Sequence, residues 1–541
     1  MKSCFSPAMW SALRDGTLGR SWSQDLLAGI IVGVLAFPLA LAFAIASGLP
    51  PETGWITGVI AGGLISLGSG SRFQIGGPTG AFVLLVHQTV TQFGHGGLLL
   101  ATAMAGVILV LMGVCRLGAV IRYIPYPVTV GFTSAIALII ATGQIPELMG
   151  WHGPWPEGMF ERWLSFAHHL ADIQPGSLLL GLVTILIVTL FPRLSRRVPG
   201  SLIAILLTTL LALALQLQVP TIGSKFPNLQ LTVPMPSWAD FDWSQAPALL
   251  PSAIAIALLG GLESLLSAMV ADGMTGYRHR PNTELVGQGL ANCAVSLFGG
   301  MPATGAIART AANIKNGGRT PLSGLVHALT LLAIGLLLGR YVQYIPLATL
   351  AGILLVVAYH MSEWRLFVRL LRSPGEDVGV LLITFFLTVF VDLTLAIQAG
   401  VLLAALLFMR RMANVTTLEP AETVPTRPDQ DLLEHDIQIF RLRGPFFFGV
   451  ADTCLNTLDR VDRRYHALIL DLSEVPWMDA TGLRALQALV RKAGQDQKTV
   501  YLTGLREQPL QLLDKTGLRA NGFPHSAPTI DEALQHYRNH Q

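Results

Sequence analysis

From Leu26 to Met409 the chain is a succession of apolar stretches, many about as long as a membrane-crossing helix and separated by short polar breaks. The breaks predict spans at 26–47, 52–69, 77–93, 98–115, 119–142, 176–192 and 200–217. A second set follows at 247–271, 284–299, 304–316, 322–339, 345–361, 377–392 and 394–409. Beyond Arg410 and Arg411 the pattern becomes that of a water-soluble domain. His435–Leu442, Ala467–Leu472 and Thr499–Thr503 read as strands, and Gly482–Ala493 and Gln508–Thr516 as helices. Alternation of that kind predicts an α/β domain. The expected plan is a polar segment 1–24, a transmembrane region 25–413, a linker 414–430 and a soluble domain 431–541.

Two apolar stretches are interrupted by nearly the same phrase. Pro78-Thr79-Gly80-Ala81 is echoed by Pro302-Ala303-Thr304-Gly305-Ala306, with Arg309 three residues later. Pairing Thr79 with Thr304 is a shift of 225 positions, and the same shift pairs Pro38 with Glu263. Tyr123-Ile124-Pro125 follows the first phrase at nearly the distance at which Tyr344-Ile345-Pro346 follows the second. Together these coincidences indicate an internal repeat. Broken helices at matching places in two halves of a membrane protein point to the substrate site of a transporter.

Composition narrows the class. The 541 residues are 52% apolar and 13% charged, with a mean hydropathy of +0.54, which excludes a soluble protein. Cys4, Cys115, Cys293 and Cys454 are scattered, so neither a disulfide framework nor a metal site is expected. The apolar run from Leu26 is too long for a signal-peptide core and reads as a retained helix. The net charge of +3 comes with no lysine- or arginine-rich run, so no nucleic-acid partner is expected. Basic residues such as Arg193, Arg196, Arg197, Arg278, Arg280, Arg365, Arg369 and Arg372 fall in alternate loops. That asymmetry places both termini in the cytoplasm of a multi-pass inner (plasma) membrane protein. No phosphate-binding loop, metal-ligand cluster or nucleophile–base set is present, so neither an enzyme nor a cofactor is expected.

The repeated phrase has a chemistry of its own. With Phe73–Gly77 and Gly299–Ala303 extended, short helices would begin near Thr79 and Thr304–Ala306, their N-termini facing each other. Each would offer unpaired N–H groups and a partial positive charge, which is a ready anion site. Arg309, one turn into the second helix, adds a full charge. The plainer alternatives are that Thr79 and Thr304 only cap helices and that Arg309 is structural. Glu263 stands alone as a carboxylate in the middle of the eighth span, and an acid there is costly and functional by default. It is the candidate proton-coupling group; the alternative is a permanent Glu263–Arg309 ion pair.

Ile75-Gly76-Gly77-Pro78-Thr79-Gly80-Ala81-Phe82, the run Tyr123–Phe132 and Gly305-Ala306-Ile307-Ala308-Arg309-Thr310 resemble the SulP sulfate permeases. The resemblance implies a polytopic α-helical fold of fourteen spans in a seven-plus-seven inverted repeat of the nucleobase-transporter type. Spans 1–4 and 8–11 would form a mobile core, and spans 5–7 and 12–14 a gate. It further implies an anion pocket with Phe43 as apolar wall, lined by Thr79, Gly80, Ala306, Ile307, Ala308 and Arg309. Family members are commonly homodimers. Val475-Pro476-Trp477-Met478-Asp479-Ala480-Thr481-Gly482-Leu483 resembles the signature of a STAS domain, a fold in which the hydroxyl at the Thr481 position can be phosphorylated. Asp479 and Thr481 are therefore weak regulatory candidates, with helix capping as the plainer reading, and the domain is a candidate dock for a cytoplasmic protein.

The expected function is secondary active transport of a small inorganic anion, with proton-coupled sulfate uptake foremost. Alternatives are sodium- or proton-coupled transport of bicarbonate or a C4-dicarboxylate, and an exchanger or channel on the same scaffold. Bicarbonate-type relatives have Asp at the Glu263 position and a hydroxyl at the Ile307 position and lack the arginine, so this chain departs from them at all three places. Ser267, one turn from Glu263, is the extra oxygen a sodium site would use.

Overall fold

The structure, a computed structural model, describes residues 6–119, 125–151, 153, 156, 158–194, 198–391, 393–420, 437–447, 465–516 and 525–539. Cys4, Arg122, Tyr123, Ile124, Arg196, Arg197, His435, Cys454 and the linker from 421 onward lie outside those residues. The chain divides into two compact units, Met1–Val401 and Leu402–Gln541, with the boundary inside the last apolar helix rather than at residue 413.

The expected spans appear in chain order, all but the last wholly within the first unit. They are α1 (Thr17–Ala46), α2 (Pro51–Gly68), α3 (Val83–Val114), α4 (Tyr126–Gly143), α5 (Pro175–Leu194), α6 (Gly200–Ala214) and α7 (Ala246–Thr275). Then come α8 (Pro281–Leu297), α9 (Ile307–Lys315), α10 (Leu322–Val342), α11 (Leu347–Met361), α12 (Gly375–Phe390) and α13 (Leu393–Val415). Among the described residues, 7 helical segments are long and apolar enough to cross a membrane by length and composition. The third and fourth expected spans are continuous in α3, which breaks at Gly94 with φ 72°. Pro125 and Pro346 stand at the N-cap positions of α4 and α11.

The start of α1 differs from expectation: it lies at Thr17, not Leu26. Its first turns expose Arg20, Trp22 and Gln24, so hydropathy hides a helix that begins before the apolar run. Asp25, at that edge, is fully buried. Its carboxylate accepts from Arg319 N (2.6 Å), Thr320 N (3.0 Å), Thr320 Oγ1 (2.6 Å) and Ser21 Oγ (3.0 Å), fastening α1 to the loop before α10.

The helices pack in two groups. One consists of α1, α2, α3, α7, α8, α9 and α10, and the other of α4, α5, α6, α11 and α12. Between membrane helices the hydrophobic effect gives little drive, so small residues and polar bonds carry the packing. Gly106 of α3 and Gly289 of α8 face each other so closely that a Cβ on either would lie 2.7 or 2.5 Å from the other's carbonyl oxygen. Buried Trp55 donates its indole N–H to Leu331 O at 2.7 Å, tying α2 to α10.

The second unit carries the sheet β3 (Thr417–Pro420), β4 (Ile437–Arg443), β5 (Ala467–Glu474), β6 (Thr499–Thr503) and β7 (His525–Ala527), ordered as in the chain. The first pair is antiparallel and the others are parallel. Residues alternate between its faces. Phe440, Leu470 and Leu502 pack with Leu486 of α14 (Ala480–Gln495), while Ile439, Ile469 and Tyr501 pack with Ala533 of α16 (Ile530–Arg538). The helix α15 (Glu507–Lys515) adds Leu513 to the face that α14 covers. Arg441 Nε meets Asp471 Oδ2 at 2.7 Å. Burial pushes the Asp471 carboxyl up, but hydrogen bonds from Arg441 and Ser473 outweigh it and hold the group below its ordinary value.

Candidate anion-binding site

The two broken phrases meet. Their extended approaches pair antiparallel as β1 (Gly76–Gly77) and β2 (Thr304–Gly305), with Gly76 opposite Gly305 and Gly77 opposite Thr304. Ala306 N continues the pairing to Ile75 O at 2.9 Å. Beyond the ribbon each strand turns into a helix: a 3-10 turn Gly80–Phe82 leading into α3, and α9 from Ile307. The second helix thus begins after Thr304, because Thr304 and Gly305 are held in the ribbon.

Neither threonine caps a helix with its side chain, although Thr79 stands at the N-cap position of the 3-10 turn. Neither helix start has a side-chain capping bond. The Thr304 hydroxyl donates to Gly260 O at 2.7 Å, and the Thr79 hydroxyl donates to Glu263 Oε2 at 3.0 Å. The first-turn N–H groups of α9, on Ile307, Ala308 and Arg309, have no acceptor within their own helix and no side chain supplied for them. Glu263 of α7 is thereby joined to the threonine that precedes the other helix start.

Arg309 is 3% exposed. Its Nη2 donates to Pro78 O, and its Nη1 has no hydrogen-bond partner among the described residues. Gly77 makes room for it. A Cβ there would lie 2.6 Å from Arg309 Nη1, and the φ of 148° is one that other residues rarely adopt. Among the described residues no carboxylate oxygen lies within 4.0 Å of the guanidinium, so the permanent Glu263–Arg309 ion pair is not formed. A buried cation with one N–H side free, beside uncapped helix N-termini, is suited to an anion.

The remaining predicted residues divide between the two helix starts. Phe43 is 4% exposed and its Cε1 would lie 3.2 Å from a Cβ on Gly80, so it walls the first start. Thr79, Gly80 and Ala306 are buried, whereas Ile307, at 40%, and Ala308 are exposed. Ser267 donates its hydroxyl to Thr310 Oγ1 at 3.1 Å, which ties α7 to α9. In the second unit Asp479 caps α14, accepting from Gly482 N at 2.7 Å, and Thr481 is exposed in the first turn of that helix.

Several supporting residues were not foreseen. Gln74 donates to Ser264 O (3.1 Å) and Ser264 Oγ (3.0 Å), and Ser264 donates to Glu284 Oε1 (3.0 Å). Glu284, fully buried, also accepts from Gly70 N and Ser71 N at 3.0 Å each, anchoring the loop before β1. Asn292 clamps Ala303, accepting from its N at 2.9 Å and donating to its O at 2.8 Å, while Asn313 donates to Phe73 O at 3.0 Å. Of these, Asn292 is a polar residue inside an apolar segment, the signal that singled out Glu263, whereas Gln74 and Glu284 stand at span edges where polar residues are ordinary.

A membrane-helix fold with a candidate anion cradle between two paired helix starts, followed by a small α/β domain, points to an anion transporter. The chain belongs to the sulfate permease family, whose profile matches residues 22–384, and a STAS domain matches residues 433–533. Over 92% of its length it is 41% identical to a Bacillus subtilis protein provisionally named a sulfate transporter (YvdB), covering 94% of that protein. It is 32% identical to the bicarbonate transporter BicA of Picosynechococcus sp. PCC 7002, over 92% of this chain and 91% of that one. In fold it is similar to SLC26A9, with a TM-score of 0.90 at 18% identity over 98% of this chain and 92% of the other. The transmembrane domain of a cyanobacterial BicA aligns with a TM-score of 0.61 at 29% identity, over 71% of this chain and 98% of that domain. The family consists of transporters rather than enzymes.

Proposed function

We propose that the protein is a secondary active carrier that takes up a small inorganic anion with a proton, sulfate foremost. The observation that carries this reading is the Thr79–Glu263 hydrogen bond, which joins the acid of the eighth span to the threonine at one helix start of the cradle. In its charged form Glu263 competes with an anion for the positive field of Arg309 and the helix N-termini. Protonation removes that competitor, so proton and anion load together. The uncapped N–H groups of α9 and the free Nη1 of Arg309 hold the anion, and Phe43 supplies the apolar wall.

The energetics favour such coupling. Moving a dianion into a negative interior costs about 4.6 kcal/mol per 100 mV, twice the single-charge figure, and one co-transported proton offsets half of it. The two packing groups support a core of α1–α3 and α7–α10 that moves against a gate of α4–α6, α11 and α12 by an elevator motion, with α13 assigned to the gate on the family resemblance. On this reading the halves are inverted repeats, the carrier is a homodimer and both termini are cytoplasmic. Asp479 and Thr481 then belong to a STAS domain that docks a cytoplasmic protein.

A bicarbonate reading draws on the likeness to BicA. Against it stand Glu263, Ile307 and Arg309, the positions at which this chain departs from the bicarbonate-type pattern. The test is a substrate screen in proteoliposomes, comparing sulfate, bicarbonate, chloride, nitrate and succinate under pH and sodium gradients. Saturable sulfate uptake driven by protons is expected. Sodium-driven bicarbonate uptake without sulfate flux would replace this reading.

A further inference from the structure

The two ends of the cradle differ in what covers them. At the α9 end Ile307 and Ala308 are exposed, whereas the Gly80 end is closed by apolar atoms from both helix groups. A Cβ on Gly80 would lie 3.2 Å from Phe43 Cε1, 3.4 Å from Ile140 Cδ1 and 3.5 Å from Met361 Sδ. Phe43 belongs to α1, in the same group as the cradle. Ile140 of α4 and Met361, the last residue of α11, belong to the other. Ile140 is 2% exposed and Met361 packs partly buried against the same core. Beside them Ser134 of α4 donates to Ser362 O at 2.6 Å, which fastens α4 to the chain just after Met361.

We propose that Ile140 and Met361 form the seal of this site, the apolar pair that keeps a bound anion from passing between the two helix groups. The proposal rests on the carrier reading above and adds the residues that separate a carrier from a conductor. The argument is one of solvation. An anion at the cradle has N–H donors and a guanidinium, but one moving past Phe43, Ile140 and Met361 would meet no donor among those side chains. It would have to shed water without replacement. The seal therefore works by contact, and the Ser134–Ser362 bond positions it.

The test uses the full-length protein in proteoliposomes with chloride and labelled sulfate as probes. Voltage-driven chloride efflux at symmetrical pH is read beside sulfate uptake under a pH gradient. Met361→Ala removes the thioether that faces Gly80, and its chloride efflux is expected to rise at least tenfold while sulfate uptake loses its dependence on the gradient. Met361→Leu, which keeps the volume, is expected to stay within about twofold of wild type. Ile140→Val, one methyl smaller, gives a second reading in the same direction should the alanine variant not fold. Wild-type efflux and coupling in folded Met361→Ala, or in Ile140→Val where that is the variant that folds, overturn the seal and leave the carrier standing. A wild-type protein that moves no anion at all overturns the carrier and the seal with it.

Discussion

Asn292 allows one half of the cradle to be loosened without touching its charges. Its side chain is buried and makes two bonds to Ala303, the residue before β2, at 2.9 and 2.8 Å, with a third to Gln288 O at 2.9 Å. Asn292→Leu keeps the branched side-chain skeleton but leaves the N–H and C=O of Ala303 without partners. Each orphaned group costs about 1–3 kcal/mol, so the pair puts about 2–6 kcal/mol on the paired state of β1 and β2. Part of that cost is avoided only if the ribbon shifts, and a shift carries Ala306 and the start of α9 with it. The variant is therefore expected to melt at a lower temperature and to hold sulfate at least tenfold more weakly. Thermal unfolding in detergent, with and without sulfate, separates the two effects. At a sulfate concentration a hundredfold above Kd the wild type gains about 2.7 kcal/mol, and tenfold weaker binding leaves about 1.4 kcal/mol. A variant that melts with the wild type and shows the same sulfate-induced gain would refute the clamp.

Gly77→Ala places a methyl 2.6 Å from Arg309 Nη1 at a φ of 148°, so it should displace the guanidinium and weaken sulfate binding at least tenfold, as read by isothermal titration. Binding equal to wild type would mean that Arg309 lies outside the site. In the second unit Asp471 titrates below its ordinary value, so its stabilisation is complete above a pH of about 3.9 and is lost as pH falls below that. Hydrogen exchange of the β4 and β5 amides, corrected for intrinsic rate, should therefore show acid loosening in the wild type and a flatter profile in Asp471→Asn. Parallel profiles would show that the Arg441 pair contributes nothing. Asp479→Ala, which removes the cap of α14, should cost that unit about 1 kcal/mol, measured by the same exchange.

What could be read in the sequence was what broke a pattern. Thr79, Arg309 and Glu263 stand out because glycine, proline and charge are conspicuous against apolar neighbours, and the structure brings the two phrases into one ribbon. Residues that work through distant partners were harder to see. Glu284 binds Gly70 and Ser71, more than two hundred positions away, and Asp25 binds Arg319 and Thr320 at a similar remove. Hydropathy also placed the start of α1 at the first apolar residue, because turns that expose Arg20 and Gln24 carry no apolar signal. The fates of the Thr79 and Thr304 hydroxyls could not be read either, since a cap and a long-range donor look alike until the acceptor is known.

The central claim is that Glu263 carries the proton that admits the anion. It is tested most directly by sulfate uptake into proteoliposomes under an imposed pH gradient, wild type beside Glu263→Gln. The account predicts wild-type uptake that accelerates when the lumen is alkaline, and residual uptake in Glu263→Gln that ignores the gradient. Gradient-independent uptake by the wild type, or full coupling in Glu263→Gln, would contradict it.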